Sequence, residues 1–147
     1  MNAPRKKAAT RRSAAAGTAD AQTAKRMTPE LEYKKLFTRF EEAFLTQNMK
    51  LMGTCLSAAF TWHLSNGQSV YGREAAMAEM RKRFAMPNGP RFSNSVWRFK
   101  GKTVVQTYDV EYCGPDGVWR QSRGMDLYEI ADDGLIVSKD AYWKMIP

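Results

Sequence analysis

The chain has 147 residues, enough for one domain, and a formal charge of +8 from 23 Lys+Arg against 15 Asp+Glu. A basic balance points to nucleic acid or an anionic membrane only when the charge lies on the folded part. Here residues 1–26 carry seven basic side chains against Asp20 alone, a net +6, which leaves +2 for residues 27–147.

Residues 1–26 contain nine alanines and no Val, Ile, Leu, Phe, Tyr or Trp. Such a segment buries too little apolar area to offset chain ordering, so the tail is expected to be disordered. Any nucleic-acid association is expected only through it, as non-specific, salt-sensitive binding. No apolar stretch follows the basic residues as in a secretory signal, and no run reaches the ~18 apolar residues of a membrane span. No membrane partner is therefore expected. Cys55 and Cys113 are isolated, the pattern of reduced, structural thiols in a cytoplasmic protein. His63 is the single histidine, which argues against a zinc site built on histidines. The common phosphate-loop, dinucleotide, serine-hydrolase and zinc-protease motifs are absent.

The folded part opens at Thr28-Pro29-Glu30, a capping hydroxyl, a first-turn proline and an acid. Tyr33, Leu36, Phe37, Phe40 and Phe44 then recur at helical spacing, predicting an amphipathic helix. Asn48 caps a second, shorter helix with Leu51, Met52, Cys55, Leu56 and Ala59 on one face. The period changes at Phe60-Thr61-Trp62-His63-Leu64, whose alternation predicts a strand. Asn66-Gly67 is a tight turn, and Ser69-Val70-Tyr71 is a short extended piece. Helical period returns from Arg73 to Phe84, with Ala76, Met77, Met80 and Phe84 on one side. Four strands follow: Phe92–Phe99, Val104–Tyr112, Val118–Ile130 and Leu135–Met145, separated by glycine-containing turns. The fold class is α+β, three N-terminal helices packed on a curved, mostly antiparallel sheet.

Tyr71-Gly72-Arg73-Glu74 at the third helix, Asp133-Gly134-Leu135-Ile136, and Ala141-Tyr142-Trp143-Lys144 in the final strand carry a family likeness. Their order and spacing resemble the cone-shaped superfamily of nuclear transport factor 2, ketosteroid isomerase and SnoaL-like polyketide cyclases. The resemblance covers about residues 29–146. It implies a deep apolar pocket between helices and sheet, a homodimer through the outer sheet face, and no metal or organic cofactor. Laid on ketosteroid isomerase without a gap, Phe40 falls where that family has its donor tyrosine. Leu64 falls where it has its base aspartate. Both polar groups are replaced by hydrocarbon, so the isomerase mechanism is not carried over. Counted back from the Asp133-Gly134 turn, Asp126 takes the place of the family's protonated acid, and Trp143 that of the tryptophan lining the pocket beside it. The epoxide hydrolases of the fold fit less well. They place an acid where this chain has Ala141, and Asp140 one residue earlier points to the other face.

The resemblance thus makes Asp126 the candidate catalytic acid. Walled by Phe40, Leu64 and Trp143, its carboxyl would be desolvated and could donate a hydrogen bond. Trp62, Met80 and Tyr108 complete the expected ligand pocket. Strand alternation leaves the face of Asp126 open, because Met125 and Leu127 are also apolar; on the outer face Asp126 would pair with Arg123 or a neighbouring strand. His63 faces outward if Trp62 and Leu64 face the pocket, whereas a one-residue slip would make it a natural base. The implied function is binding of a hydrophobic, carbonyl-bearing small molecule, with isomerase or cyclase chemistry at Asp126. The first alternative is a non-catalytic binding or assembly module of the same fold. The second is nucleic-acid association through residues 1–26.

Overall fold

Helix α1 (Pro29–Leu45) begins where Thr28 accepts a hydrogen bond from the Leu31 N–H, with Pro29 in the first turn and Glu30 and Glu32 at the positive end of the helix dipole. The computed structural model describes residues 28–144. The expectations for residues 1–26 and for the end of the last strand at Met145 lie outside them. Asn48 caps α2 (Met49–Cys55) by accepting the Leu51 N–H at 3.0 Å. Strand β1 (Leu56–His63) and the short β2 (Ser69–Tyr71) flank the Asn66-Gly67 turn, and α3 (Arg73–Phe84) follows. Four strands complete the chain: β3 (Arg91–Lys100), β4 (Thr103–Cys113), β5 (Trp119–Ile130) and β6 (Ile136–Trp143).

Two expectations need correction. The second helix stops at Cys55; Leu56–Ala59 belongs to β1, with Leu56 extended and paired to Ile136. Ser57, Ala58 and Ala59 are too small to favour either period, and they lie in the break of the β1–β6 register between Leu56 and Thr61. The three helices also do not precede the sheet as a block, because β1 and β2 come between α2 and α3.

The six strands form one sheet in the order β2-β1-β6-β5-β4-β3. All neighbours are antiparallel except β1 and β6, which run parallel and close the sheet between the first and last strands of the chain. Helix α1 lays Leu36, Phe37, Phe40 and Ala43 on the inner face, and α3 adds Ala76, Met77 and Met80. Phe37 is the hub: its ring meets Tyr128 at 5.1 Å, Trp97 at 5.2 Å, Phe99 at 5.8 Å and Phe40 at 5.9 Å between centroids. Burial of such a side chain stabilises by about 1.5–3 kcal/mol, and edge-on ring contacts add to it. Both cysteines are free, Cys55 buried and Cys113 partly so. Among the described residues no helix is long and apolar enough to cross a membrane.

Candidate functional site

Cross-strand register decides what the sequence left open. Asp126 lies between Gln106 of β4 and Ala141 of β6, and Tyr108 and Trp143 both stand opposite Gly124, two residues along β5 on the same face. Asp126 is only 3 % exposed, on the inner face. Arg123 turns outward instead and pairs with Asp109 at 3.4 Å.

The hydrogen bonds around Asp126 form a directed chain. The Trp143 indole N–H can only donate, and it donates to the Tyr108 hydroxyl at 2.8 Å. The Tyr108 hydroxyl in turn donates to Asp126 Oδ1 at 2.9 Å. On the other side, the Tyr128 hydroxyl lies 3.2 Å from Asp126 Oδ2 and 3.0 Å from Gln106 Oε1, so its single proton serves one acceptor at a time. Gln106 is oriented in turn by donating to Ser95 Oγ at 3.0 Å. Lys139 completes the site with Nζ 3.2 Å from Asp126 Oδ2. That ammonium also lies over three rings: Trp62 at 5.2 Å, Tyr128 at 5.8 Å and Phe44 at 5.9 Å. Burial, and after it the charge of Asp126, pushes the Tyr108 and Tyr128 phenols well above their usual range. Both are therefore neutral hydroxyl donors near neutral pH.

Gly124 makes this geometry possible. The Tyr108 ring crosses β5 directly above it: a Cβ at position 124 would lie 2.5 Å from Tyr108 Cζ and 2.7 Å from the hydroxyl oxygen. A glycine inside a strand signals close approach of another group, and that signal was present in the sequence. Phe92 holds the other side of Tyr108 with an edge-on contact at 5.2 Å.

The expected residues are thus partly brought together. Asp126, Tyr108 and Trp143 form one hydrogen-bonded chain, and Trp62 reaches it through Lys139. Phe40, Leu64 and Met80 are all buried in the hydrophobic core, and Phe40 packs on Tyr128 at 5.5 Å. The acid is enclosed by two tyrosines and a lysine rather than by hydrocarbon. His63 lies on the outer face opposite Asp140, with Nδ1 2.7 Å from Ser69 Oγ. A surface cavity of about 340 Å³ borders His63, Leu64, Ser69, Asp140 and Tyr142. A second, of about 570 Å³, borders Asn94, Asp109, Arg123 and Lys144; Asp126 lines neither. Among the described residues no cluster of three or more His, Cys, Asp or Glu side chains is arranged to hold a metal ion. Sequence reasoning missed Lys139, Tyr128 and Gly124. Nothing local marks Lys139, because a lysine in a strand ordinarily reads as a solvated position.

A helix-covered, mostly antiparallel six-stranded sheet with an acid-centred polar cluster on its inner face defines a class of small α+β domains. The family model of the SnoaL-like domain matches residues 37–139, and the chain belongs to that family. No curated protein matches the chain. Among solved structures, a candidate polyketide cyclase from Xanthomonas campestris pv. campestris superposes with a TM-score of 0.68 at 18% identity, covering 80% of this chain and 93% of its own. A candidate ketosteroid isomerase from Kribbella flavida gives 0.64 at 12%, covering 79% and 80%. TerC, crystallised with polyporic acid, gives 0.64 at 12%, covering 77% and 92%. These likenesses establish the fold.

Proposed function

We propose that the protein binds a hydrophobic, carbonyl-bearing small molecule against the inner face of the sheet, and that Asp126 moves or shares a proton there. The observation carrying this reading is the Trp143–Tyr108–Asp126–Lys139 cluster itself. A buried ion pair confers no more stability than well-packed hydrocarbon, so the fold alone does not account for it. Chemically, Asp126 is placed to exchange a proton at carbon beside a carbonyl. Lys139, whose ammonium carries three protons, supplies a donor for the oxygen on which charge develops. Isomerisation and cyclisation both need that step, and the solved neighbour holding polyporic acid is consistent with such a ligand.

Proton exchange is measurable without knowing the natural substrate. With 2-tetralone as probe in deuterated water, the protein accelerates deuterium uptake beside the carbonyl, read by proton NMR. Asp126→Asn lowers that acceleration by about 10²-fold or more. Equal rates for the two proteins would refute the catalytic role. The burial of Phe40, Leu64 and Met80 favours a second reading, a non-catalytic binding or assembly module. Ligand binding with no exchange above background would select it.

The outer face supports self-association. Val96, Thr107, Met125 and Tyr142 form one row across four strands, with Val96 48%, Met125 38% and Tyr142 50% exposed. A row of this kind fits the same row on a second copy. Sedimentation is expected to give about twice the 16.7 kDa chain mass, and Met125→Glu to return it to the monomer. A monomeric wild-type protein would remove the homodimer from this account.

A further inference from the structure

We propose that Trp62 selects the ligand: its indole N–H donates to a negatively charged oxygen, a carboxylate or an ionised enol, carried by the apolar molecule. This rests on the small-molecule reading above and names the chemistry of one end of that molecule.

Two independent observations meet at this residue. Trp62 is 8% exposed, and its Nε1 is buried without a hydrogen-bond partner among the described residues. A buried donor left unpaired is costly, and native folds rarely leave one. Trp143, the other site tryptophan, has its N–H satisfied by Tyr108, so the difference is local to Trp62. Second, two cations lie over the Trp62 ring, Lys139 at 5.2 Å and Arg83 at 5.4 Å. Lys139 stands directly opposite Trp62 in the β1–β6 pairing. The carboxylates beside these cations are already engaged, Asp126 with Lys139 at 3.2 Å and Glu79 with Arg83 at 3.0 Å. The indole donor therefore lacks an acceptor in a place where two positive charges favour an anionic one.

Arg83, in the last turn of α3, is 41% exposed along its side chain and lies over the indole. Its charge is therefore placed beside the indole as a counter-charge for a seated anion. An anionic oxygen at Trp62 then lies beside Lys139, whose Nζ is 3.2 Å from Asp126 Oδ2.

The test uses the four indole N–H resonances of the full-length, ¹⁵N-labelled protein. The Trp62 resonance is identified by its loss in Trp62→Phe. Two probes of nearly equal shape are titrated, 2-hydroxy-1,4-naphthoquinone, ionised at neutral pH, and its neutral methyl ether. The ionised quinone is expected to bind about tenfold tighter or more, as a hydrogen bond to a charged group implies, and to move the Trp62 N–H downfield. Trp62→Phe is expected to bring the two affinities to within about twofold of each other, whatever its effect on binding of the ether. Equal affinities, or an unmoved Trp62 resonance while others shift, would overturn the inference and leave the small-molecule reading standing. If neither quinone moves any resonance, the small-molecule reading fails and this inference fails with it. Should Trp62→Phe not fold, the comparison of probes on the wild-type protein still decides, with the resonance assigned through its contacts to Lys139.

Discussion

Replacing Lys139 by methionine is expected to destabilise the protein by about 3–5 kcal/mol, the usual cost of leaving one member of a buried ion pair without its partner. Methionine keeps an unbranched apolar stem of the same length up to Cε and lacks the ammonium, so the loss is chiefly electrostatic. Asp126 would retain the Tyr108 hydroxyl but lose the ammonium 3.2 Å from Oδ2, and the rings of Trp62, Tyr128 and Phe44 would lose the cation they enclose. A loss of that size is a large share of the ~5–15 kcal/mol that holds a typical domain together. Removing the charge of Asp126 as well tests the cause. Lys139→Met combined with Asp126→Asn is expected to recover most of the loss in urea unfolding. A double variant no more stable than Lys139→Met alone would show that the pair is not the origin of the effect.

Gly124→Ala has the second largest expected effect. The added methyl meets the Tyr108 ring, a rigid group already braced by Phe92 and tied at its hydroxyl to Trp143 and Asp126. The ring cannot yield without breaking the hydrogen-bond chain. Overpacking of this kind costs about 1–3 kcal/mol, which lowers Tm by roughly 4 °C for each kcal/mol. Because the clash is with one side chain, the effect should be strongly coupled to it. In the Tyr108→Ala background Gly124→Ala should be nearly neutral, measured by thermal unfolding. Additive losses would place the strain elsewhere.

These two sites also show where sequence reading stopped. The caps of α1 and α2, the Asn66-Gly67 turn and the alternation of β4 and β5 are local signals, and they place most of the elements. Which face Asp126 occupies is not local, because Met125, Asp126 and Leu127 alternate without contrast. Pairing with Gln106 and the reach of Tyr108 settle it. The end of α2 is illegible for a related reason: alanine and serine fit a helix or a strand, and Leu56 follows its partner Ile136. Lys139 was the hardest to find. Lysine in a strand ordinarily marks a solvated position, and only the assembled cage of rings and carboxylate makes burial tolerable. Phe40, Leu64 and Met80 are buried in the core once α1 and α3 settle on the sheet, a packing that strand and helix periods alone do not specify.

The opening charge of +8 separates in the same way. Within residues 28–144 the polar cluster that matters, Asp126 with Lys139, is neutral as a pair and hidden from any count of exposed charge.

The central claim is that this cluster serves a small molecule. Native mass spectrometry of the full chain, purified gently from its own cell, tests it most directly. A retained organic molecule is expected, lost on mild activation and lost from the Asp126→Asn protein purified in the same way. A wild-type protein that carries no small molecule, or one retained equally by Asp126→Asn, would contradict it.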